Sequence, residues 1–282
     1  MGRVAVVTDS ASDLSLARAA GAGITVVPLL VRFGERESRA GTEMSADAFW
    51  TAMLAPGAPL PTTAAASAGD FKVAYERVFA AGADAIVCVT VGGKLSATLK
   101  SARIARDMLP HREIHVVDSD SASVGVGILA LLAAEMATSG SDAATIAAEV
   151  RRRVPHVELF VAVDTLEYLR RGGRISGARA AVGTILSVKP IVTVRDGEVV
   201  QAERVRTRSK ARSRVAELLA ERPVDRIGLL DGPDADVAGL RADILRRLPD
   251  FDPDAVIVET MGPSIGPHIG PGFAGGVALR TG

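Results

Sequence analysis

Residues 84–118 read DAIVCVTVGGKLSATLKSARIARDMLPHREIHVVD, and this stretch decides the fold class. The apolar runs at residues 84–91 and 113–118 have the length of buried strands, and residues 95–109 between them repeat apolar side chains at helical spacing. Two parallel strands need a crossover of about this length, which is usually a helix. We therefore predict a β–α–β unit, the building block of parallel sheets.

The same alternation extends over the first half of the chain. Further strands are predicted at residues 3–8 and 24–33, and helices at residues 12–21, 45–54, 69–82, 121–139 and 142–154. Continuous apolar strands separated by helices are typical of a parallel sheet that is covered on both faces. We predict an N-terminal, Rossmann-like parallel α/β domain over residues 1–157. Ligands of such sheets bind beyond the carboxyl ends of the strands, so the loops that follow them are candidate sites.

The second half follows a different pattern. Strands are predicted at residues 157–163, 189–194, 198–206, 226–230, 255–260 and 276–280, and helices at residues 165–171, 208–221 and 235–248. Asp196 and Gly197 separate two of these strands and form a dipeptide preferred in tight hairpin turns. A hairpin within an α/β pattern implies a mixed or antiparallel sheet. We predict a C-terminal α/β domain over residues 158–282, with the ligand between the two domains.

Composition narrows the function classes. Lys+Arg and Asp+Glu both number 33, and this balance argues against a nucleic-acid binder, because such proteins are basic overall. Cys88 is the only cysteine, and no second histidine or cysteine stands at metal-ligand spacing from His268, so we expect no metal and no other cofactor. The longest apolar run, residues 124–137, is too short to span a bilayer, and no targeting segment is visible. A cytoplasmic protein without integral membrane contact is expected.

Three loops carry side chains that are able to bind an anion. Thr62 and Thr63 follow a proline, and Ser96 follows a glycine pair near an expected helix start, where free backbone amides favour negative charge. His268 lies in a loop rich in proline and glycine after a late strand. Each residue also has a plainer interpretation, because hydroxyls often cap helices and a lone loop histidine is often structural. The residues by themselves leave both interpretations open.

A serine hydrolase is one alternative function. Ser264 stands in the Gly-X-Ser-X-Gly pattern of a nucleophile elbow, and His268 follows closely. The elbow needs a strand, a sharp turn and then a helix, whereas the glycines and prolines after Ser264 are predicted to prevent a helix. The catalytic histidine of such enzymes also lies in a separate loop. The sequence therefore offers little support for a Ser264/His268 hydrolase.

Basic residues cluster twice despite the neutral total. Four arginines lie around Gly172 and Gly173, the glycine pair that is predicted to end the helix at residues 165–171: Arg170, Arg171, Arg174 and Arg179. Four further cations alternate by two, which would place them on one side of an extended segment: Arg204, Arg206, Arg208 and Lys210. A solvated face is the usual explanation of such a cluster, and a docking surface for an acidic partner or a phosphate is the other. A second alternative function, an anion or nucleic-acid binder, would use residues 204–210.

Seven short motifs, taken together, resemble those of the DegV family of fatty-acid-binding proteins, which includes the fatty-acid-binding subunits of bacterial fatty acid kinase. In sequence order they are VTDS at residues 7–10 with Asp13 and Leu14, PTT at 61–63 with Ser67, LSAT at 95–98, VDS at 117–119, TLEYL at 165–169 running into GGRI at 172–175, KPI at 189–191, and GPHIGPG at 266–272. They occur in the order of the family and cover essentially the whole chain. Each motif is weak alone, and the ordered set is specific.

The resemblance implies two α/β domains with a long-chain fatty acid between them. By motif, Thr63 (with Thr62 as a second candidate), Ser96 and His268 match the residues that hold the acyl carboxylate in the family. The resemblance further implies that the chain is a lipid-binding carrier without a catalytic role, and that a separate ATP-dependent fatty acid kinase subunit phosphorylates the bound carboxylate. Arg174 matches the docking arginine of the family, and Arg206 is a further candidate for that surface.

The chain departs from the family pattern at three places. Ala64, Ala65 and Ala66 replace Ser-Gln-Pro after the threonine, Ala97 replaces the glycine of Leu-Ser-Gly-Thr, and Asp231 replaces the histidine of a late His-Gly-Pro. The three candidate head-group side chains are retained.

Overall fold

The computed structural model describes residues 2–175 and 188–281, and these ranges contain thirteen strands and ten α-helices. The strands are β1 (Val4–Asp9), β2 (Ile24–Val27), β3 (Leu30–Phe33), β4 (Arg36–Arg39), β5 (Thr62–Ala64), β6 (Ala85–Thr90), β7 (Glu113–Asp118), β8 (Val157–Ala162), β9 (Lys189–Arg195), β10 (Glu198–Val205), β11 (Val224–Asp231), β12 (Ile257–Thr260) and β13 (Ala274–Arg280). The helices are α1 (Leu16–Gly21), α2 (Ala46–Leu54), α3 (Ala68–Ala80), α4 (Thr98–Asp107), α5 (Val124–Thr138), α6 (Ala143–Arg153), α7 (Glu167–Arg171), α8 (Arg208–Ala220), α9 (Val237–Leu245) and α10 (Gly266–Ile269).

The first half is built around a four-stranded parallel sheet in the order β2–β1–β6–β7. Every residue of β6 is buried, as expected for a parallel strand that has helices on both faces. α3 packs on α4, α5 packs on α6, and members of both pairs contact the sheet. The parallel β–α–β unit predicted from residues 84–118 is confirmed.

The second half contains a six-stranded mixed sheet in the order β10–β9–β8–β13–β11–β12. β11 and β12 pair in parallel, and the other neighbouring strands of this sheet pair antiparallel. Asp196 and Gly197 join β9 to β10 with φ values of 50° and 73°, because a two-residue hairpin of the preferred twist needs left-handed backbone at both positions. The predicted hairpin and mixed sheet are confirmed.

α5 lies between the two sheets. It contacts β1 of the first half together with β11 and β13 of the second half. Most of its residues are buried, including Val124 and Ile128, and a helix that is apolar on every side belongs in an interior. Gly228 on β11 allows this close approach, because a Cβ at that position would lie 2.5 Å from a methyl group of Val124. The two halves therefore share a helix as part of their packing.

The single strand predicted over residues 24–33 is wrong, because the chain forms two strands there. Pro28 separates β2 from β3 and has no N–H to donate to a ladder. The next N–H, that of Leu29, donates to Ser10 Oγ at 2.8 Å. β3 leaves the parallel sheet and pairs antiparallel with β4 and β5 in a third, small sheet that the sequence did not predict. β3 thereby positions β5, which contains Thr63.

The helix predicted over residues 12–21 begins later, at Leu16. Asp13 interrupts it with backbone in the left-handed region (φ 53°), directly after one turn of 3-10 helix at Ser10–Ser12. This interruption leaves the Asp13 carboxylate in contact with the second half of the chain, at the backbone N–H of Gly262.

Aromatic side chains of the first half pack against the second half. Phe49 and Trp50 of α2 are buried, and the ring centroids of Trp50 and Phe273 are 6.3 Å apart. The indole N–H of Trp50 also donates to the carbonyl oxygen of Met261 at 2.8 Å. One apolar core contains residues from both halves, so the domain boundary near residue 158 stays a prediction.

Two carboxyl groups are buried at and just after the end of β1. Asp13 accepts the N–H of Gly262 at 2.9 Å and the hydroxyl of Ser123 at 2.5 Å, and burial raises the pKa of this carboxyl to about 7. Asp9 accepts two backbone N–H groups at 2.9 Å, and burial raises its pKa to about 6. The neutral forms of both groups are therefore accessible close to physiological pH.

The raised pKa of Asp13 predicts a pH-dependent difference in stability between the wild type and Asp13→Asn. A carboxyl whose pKa is higher in the folded state binds its proton more tightly there, so its contribution to stability falls as the pH rises through 7. The amide of the variant does not titrate, and both proteins share the other ionisable groups. We expect the free energy of unfolding of Asp13→Asn to rise by about 1 kcal/mol relative to wild type between about pH 6 and pH 8. Urea unfolding followed by circular dichroism measures this difference.

Asp250→Asn is the matched control, because Asp250 is exposed. This variant should show the same pH dependence of unfolding as the wild type. An effect of Asp13→Asn that is equal at both pH values would contradict the shifted titration of Asp13.

Candidate functional site

The side chains of Thr63 and His268 meet between the two halves. Thr63 belongs to β5 in the first half and His268 to α10 in the second, and the Thr63 Oγ1 and His268 Nε2 atoms are 2.9 Å apart. Because 205 positions of sequence separate the two residues, only the packing of the halves brings them together.

The sequence predicts no helix in the loop that carries His268, yet Gly266–Ile269 form one turn, α10. Pro267 is compatible with this turn because a proline in the first turn loses no hydrogen bond. Gly270 ends the turn with a φ of 74°, and a Cβ at this glycine would collide with the ring of Tyr168. A proline and a glycine therefore fix the backbone on both sides of the histidine.

The imidazole of His268 is neutral at physiological pH. Burial lowers the pKa of His268 to about 4, and the positive charge of Arg174 acts in the same direction. Nδ1 is buried and has no hydrogen-bond partner among the described residues, and a Cβ on Gly172 would collide with it. We assign the ring proton to Nε2, because an unpartnered acceptor at Nδ1 costs less than an unpartnered donor. In this tautomer His268 donates to Thr63, and the hydroxyl hydrogen of Thr63 is available to a ligand.

Ser96 lies in the loop between β6 and α4. Its Oγ accepts the N–H of Thr98 at 3.2 Å and lies 2.8 Å from the Thr98 hydroxyl, so Ser96 takes part in the turn that begins the helix. Ser96 is half-buried and lines the same cavity as Thr63 and His268. The structure is compatible with both the capping and the ligand-binding interpretation of this hydroxyl.

Thr62 and Thr63 are adjacent on β5, so their side chains point to opposite faces of the strand. Thr63 is half-buried and faces His268, whereas Thr62 is exposed. The structure thus distinguishes two threonines that the sequence left as alternatives, and it brings Thr63 into the group with Ser96 and His268.

Arg174 links two of the loops. Its Nε donates to the carbonyl oxygen of Leu95 at 3.3 Å, and another guanidinium nitrogen donates to that of Gly172 at 2.5 Å. The side chain lines the same cavity as His268, a position that the sequence did not predict. Arg206 is exposed just after β10 and does not line this cavity. Arg179 lies outside the described residues.

Two adjoining cavities share these polar side chains. The inner cavity, of about 80 Å³, is lined by Thr63, Ser96, Arg174 and His268 together with Ala11, Leu29, Ala64, Ala65, Val91, Leu95, Ala122, Leu169, Val199, Ser264, Ile265 and Ile269. The outer cavity, of about 310 Å³, is lined by Leu60, Pro61, Thr62, Thr63, Tyr168, Arg171, Gly172, Arg174, Pro267 and His268. Thr63, Arg174 and His268 line both cavities. They therefore stand between a mainly apolar cavity and a second one whose entrance, called the mouth below, is made basic by Arg171 and Arg174.

Ser264 is not paired with His268. Its Oγ lies 2.8 Å from the Oγ of Ser10, whereas Nε2 of His268 bonds to Thr63, and no hydrogen bond joins Ser264 to His268 in the described part of the chain. A serine nucleophile needs a base within hydrogen-bond reach, so the arrangement does not favour the hydrolase. Ser10 is the hydrogen-bond partner of Ser264, and its position just after the first strand is what the sequence offers as an indication of a role for it.

The basic residues at positions 204–210 do not form the single face that the sequence predicts. The extended segment ends with β10, and Thr207 caps α8 by accepting the N–H of Lys210. Arg208 and Lys210 therefore lie on a helix, where residues two positions apart do not share a face. Arg208 also forms an ion pair with Asp164. The predicted stripe is wrong because the capping threonine ends the strand.

Neither a metal site nor a membrane-spanning helix is found within residues 2–175 and 188–281. No three His, Cys, Asp or Glu side chains in these ranges are placed to hold a metal ion. None of the helices in the same ranges is long and apolar enough to cross a bilayer. Burial raises the pKa of the Cys88 thiol to about 12, as expected for an inert core cysteine.

The chain is similar to DegV proteins over nearly its whole length. The DegV family model matches residues 3–281. A DegV domain-containing protein of Deinococcus radiodurans is 35% identical over 270 residues, which cover 92% of this chain and 95% of the relative. A DegV family protein of Thermus thermophilus, described as binding fatty acid, has a solved structure with a TM-score of 0.87 and 34% identity, over 99% of this chain and 100% of its own. DegV of Bacillus subtilis, described as a fatty acid binding protein, has a TM-score of 0.84 and 30% identity over 100% of both chains.

The similarity is not confined to one half of the molecule. The two solved structures cover 99% and 100% of this chain, so the likeness extends over the part of the chain with the parallel sheet and the part with the mixed sheet. The resemblance inferred from seven short motifs is therefore confirmed, and this chain belongs to the DegV family.

Proposed function

We propose that this protein binds a long-chain fatty acid, with the acyl chain in the inner cavity and the carboxylate at Thr63, Ser96 and His268. The observation that supports this function is the 2.9 Å Thr63–His268 hydrogen bond on the wall between an apolar cavity and a basic mouth. A ligand that is apolar along its length and anionic at one end matches this division. The fatty-acid-binding relatives of Thermus thermophilus and Bacillus subtilis support the same ligand class.

The acyl chain supplies most of the binding free energy in this proposal. A saturated chain with about 14 methylenes, at ~0.8 kcal/mol each, gains on the order of 11 kcal/mol on leaving water. Association entropy and ordering of the chain offset part of this gain. Hydrogen bonds to the carboxylate, at about 1.5–3 kcal/mol each, mainly determine which end of the ligand faces the mouth.

The polar side chains are arranged to donate hydrogen bonds to an anion. With its proton on Nε2, His268 donates to Thr63, and the Thr63 hydroxyl then donates to the carboxylate. Such a chain of bonds is cooperative, because each donor polarises the next. The Ser96 hydroxyl adds a second donor. Arg174 supplies the positive charge that the neutral imidazole lacks, and charge-assisted bonds are the stronger kind.

The inner cavity widens on binding in this proposal. Its volume of about 80 Å³ lies below the roughly 300–1,000 Å³ of ordinary ligand sites. Its lining comes from separate elements of both halves, including Leu95, Leu169 and Val199. Small shifts of these elements can therefore enlarge the cavity without breaking either of the two large sheets.

Removal of the Thr63 hydroxyl is expected to weaken the binding of fatty acid. Thr63→Val keeps the size and branching of the side chain but cannot donate to the carboxylate, so hexadecanoic acid should bind about tenfold more weakly, equal to roughly 1.4 kcal/mol. Thr62→Val, one residue away on the exposed face of β5, is the matched control and should leave the affinity within about twofold. Isothermal titration calorimetry on delipidated protein measures both affinities.

Two outcomes would count against these assignments. Equal losses in the two variants, or no loss in Thr63→Val, would remove Thr63 from the head-group site. Purified wild-type protein that carries no acyl chain in native mass spectrometry, and that takes up no added hexadecanoic acid, would contradict fatty acid binding itself.

We further propose that the protein presents the bound carboxylate to a separate ATP-dependent kinase in the cytoplasm. In that reaction a carboxylate oxygen attacks the γ-phosphorus of ATP, which forms an acyl phosphate and releases ADP. The family resemblance is the basis of this role. Arg171 and Arg174 line the mouth and Arg206 is exposed, and cations placed in this way attract an acidic partner surface.

Reversal of the charge at Arg206 is expected to slow phosphorylation without releasing the ligand. Arg206→Glu lies away from the inner cavity, so retention of fatty acid should match the wild type, whereas weaker attraction should slow the kinase step about tenfold at low salt. Arg103→Glu, at an exposed arginine of α4, is the control for a change of net charge. Transfer of radiolabelled phosphate from ATP to protein-bound fatty acid measures the rate. An equal effect of both variants would exclude Arg206 from the docking surface.

A further inference from the structure

The segment that carries His268 is anchored to the first half at Gly262. The Oδ1 atom of Asp13 accepts the Gly262 N–H at 2.9 Å. From Gly262 the chain passes directly into α10, since the Gly266 N–H donates to the Gly262 carbonyl and the His268 N–H donates to that of Ile265, both at 2.9 Å. Successive turns therefore tie the backbone of His268 to Gly262, and displacement of Gly262 would displace the imidazole.

Asp13 is itself fixed within the first half. Its Oδ2 atom accepts the hydroxyl of Ser123, the residue before α5, at 2.5 Å. Asp13 and Ser123 both have left-handed backbone, with φ values of 53° and 57°. Backbone of this kind is strained in residues other than glycine and persists only where the surrounding structure enforces it. The two strained residues indicate that the position of this carboxylate is specifically maintained.

Two neutral contacts hold the same segment. The indole of Trp50 donates to the Met261 carbonyl at 2.8 Å, and the hydroxyls of Ser10 and Ser264 are 2.8 Å apart. Asp13 differs from these two contacts because one carboxyl oxygen accepts a backbone N–H of the segment while the other accepts the hydroxyl of Ser123. It therefore links the backbone at Gly262 directly to the residue before α5.

We propose that Asp13 is a positioning residue for the carboxylate-binding site: by holding Gly262, it keeps His268 within hydrogen-bond distance of Thr63. This inference rests on the proposed fatty-acid function. Asp13 does not line the inner cavity, so it acts on the ligand only through the loop. Its loss should therefore affect recognition of the acid group more than binding of the apolar chain.

Two variants separate the carboxylate from its unusual backbone. Asp13→Gly removes the side chain and adopts a φ of 53° without steric cost. Asp13→Asn keeps an oxygen for the Gly262 N–H, tolerates left-handed backbone, and can donate from its amide to Ser123. Because burial raises the pKa of Asp13 to about 7, a neutral group of the same shape suits this position.

The preference for an acid group is measured as the ratio of the affinities for hexadecanoic acid and hexadecan-1-ol, which share a chain and differ in the head group. We expect Asp13→Gly to lower this ratio about tenfold, while its affinity for the alcohol stays within about twofold of the wild-type value. For Asp13→Asn we expect a ratio within about threefold of the wild-type ratio. Equal weakening of both ligands by Asp13→Gly, or an unchanged ratio, overturns the proposal. A wild type that does not prefer the acid contradicts the proposed function instead.

A second measurement decides the case if Asp13→Gly does not fold. The amide signal of Gly262 and the ring signals of His268 are followed by NMR between about pH 6 and pH 8 in the wild type and in Asp13→Asn. Both sets of signals should follow one midpoint, near 7, in the wild type, and both should lose that transition in the variant. The other charged groups around Asp13 remain in both proteins, namely Asp9, Glu259 and the Arg18 that pairs with Glu259. Ring signals of His268 that stay unchanged while the Gly262 amide follows the titration of Asp13 overturn the proposal.

Discussion

The candidate site depends on one constraint, which is that the segment after β12 must lie against the first half of the chain. Only this contact brings His268 to within 2.9 Å of Thr63, because Thr63 lies on the small sheet of the first half and His268 on α10 of the second half. The contact is polar at Asp13 and at the Ser10–Ser264 pair, and it is aromatic at Trp50. Polar links fix the register of the two halves, whereas apolar packing supplies the area that holds them together.

The electrostatics of the site follow from its position on the wall between the two cavities. Burial keeps His268 neutral, and a neutral imidazole avoids the cost of a buried charge while the site holds no anion. The guanidinium of Arg174 lies beside the outer cavity and donates to backbone carbonyls of both neighbouring loops. A carboxylate between the two cavities would therefore meet the neutral donors Thr63 and Ser96 together with the cation Arg174. Its acyl chain would extend into the inner cavity, which small and aliphatic side chains line almost entirely.

The topology of the first half explains where the cavity lies. Ala11 follows β1, Leu95 and Ser96 follow β6, and Ala122 follows β7, so three loops at the carboxyl edge of the parallel sheet supply one side of the inner cavity. Ligand sites at this edge are the general rule for open parallel sheets. The fourth loop that the sequence indicated, after residue 33, does not contribute, because β3 leaves the parallel sheet and instead positions β5 with Thr63.

The sequence by itself determined the β–α–β order, the mixed sheet of the second half, the hairpin at Asp196 and the family. These features rest on periodicity, turn residues and motif order, all of which are local properties of the chain. The one-turn helix α10 and the Thr207 cap that breaks the basic stripe are local features that the periodicity of the sequence did not reveal, whereas the third sheet was decided by tertiary structure. The same holds for the contact of Thr63, rather than Thr62, with His268 and for the paired hydroxyls of Ser10 and Ser264. These features depend on contacts between residues far apart in sequence, and no local pattern encodes which distant groups will meet.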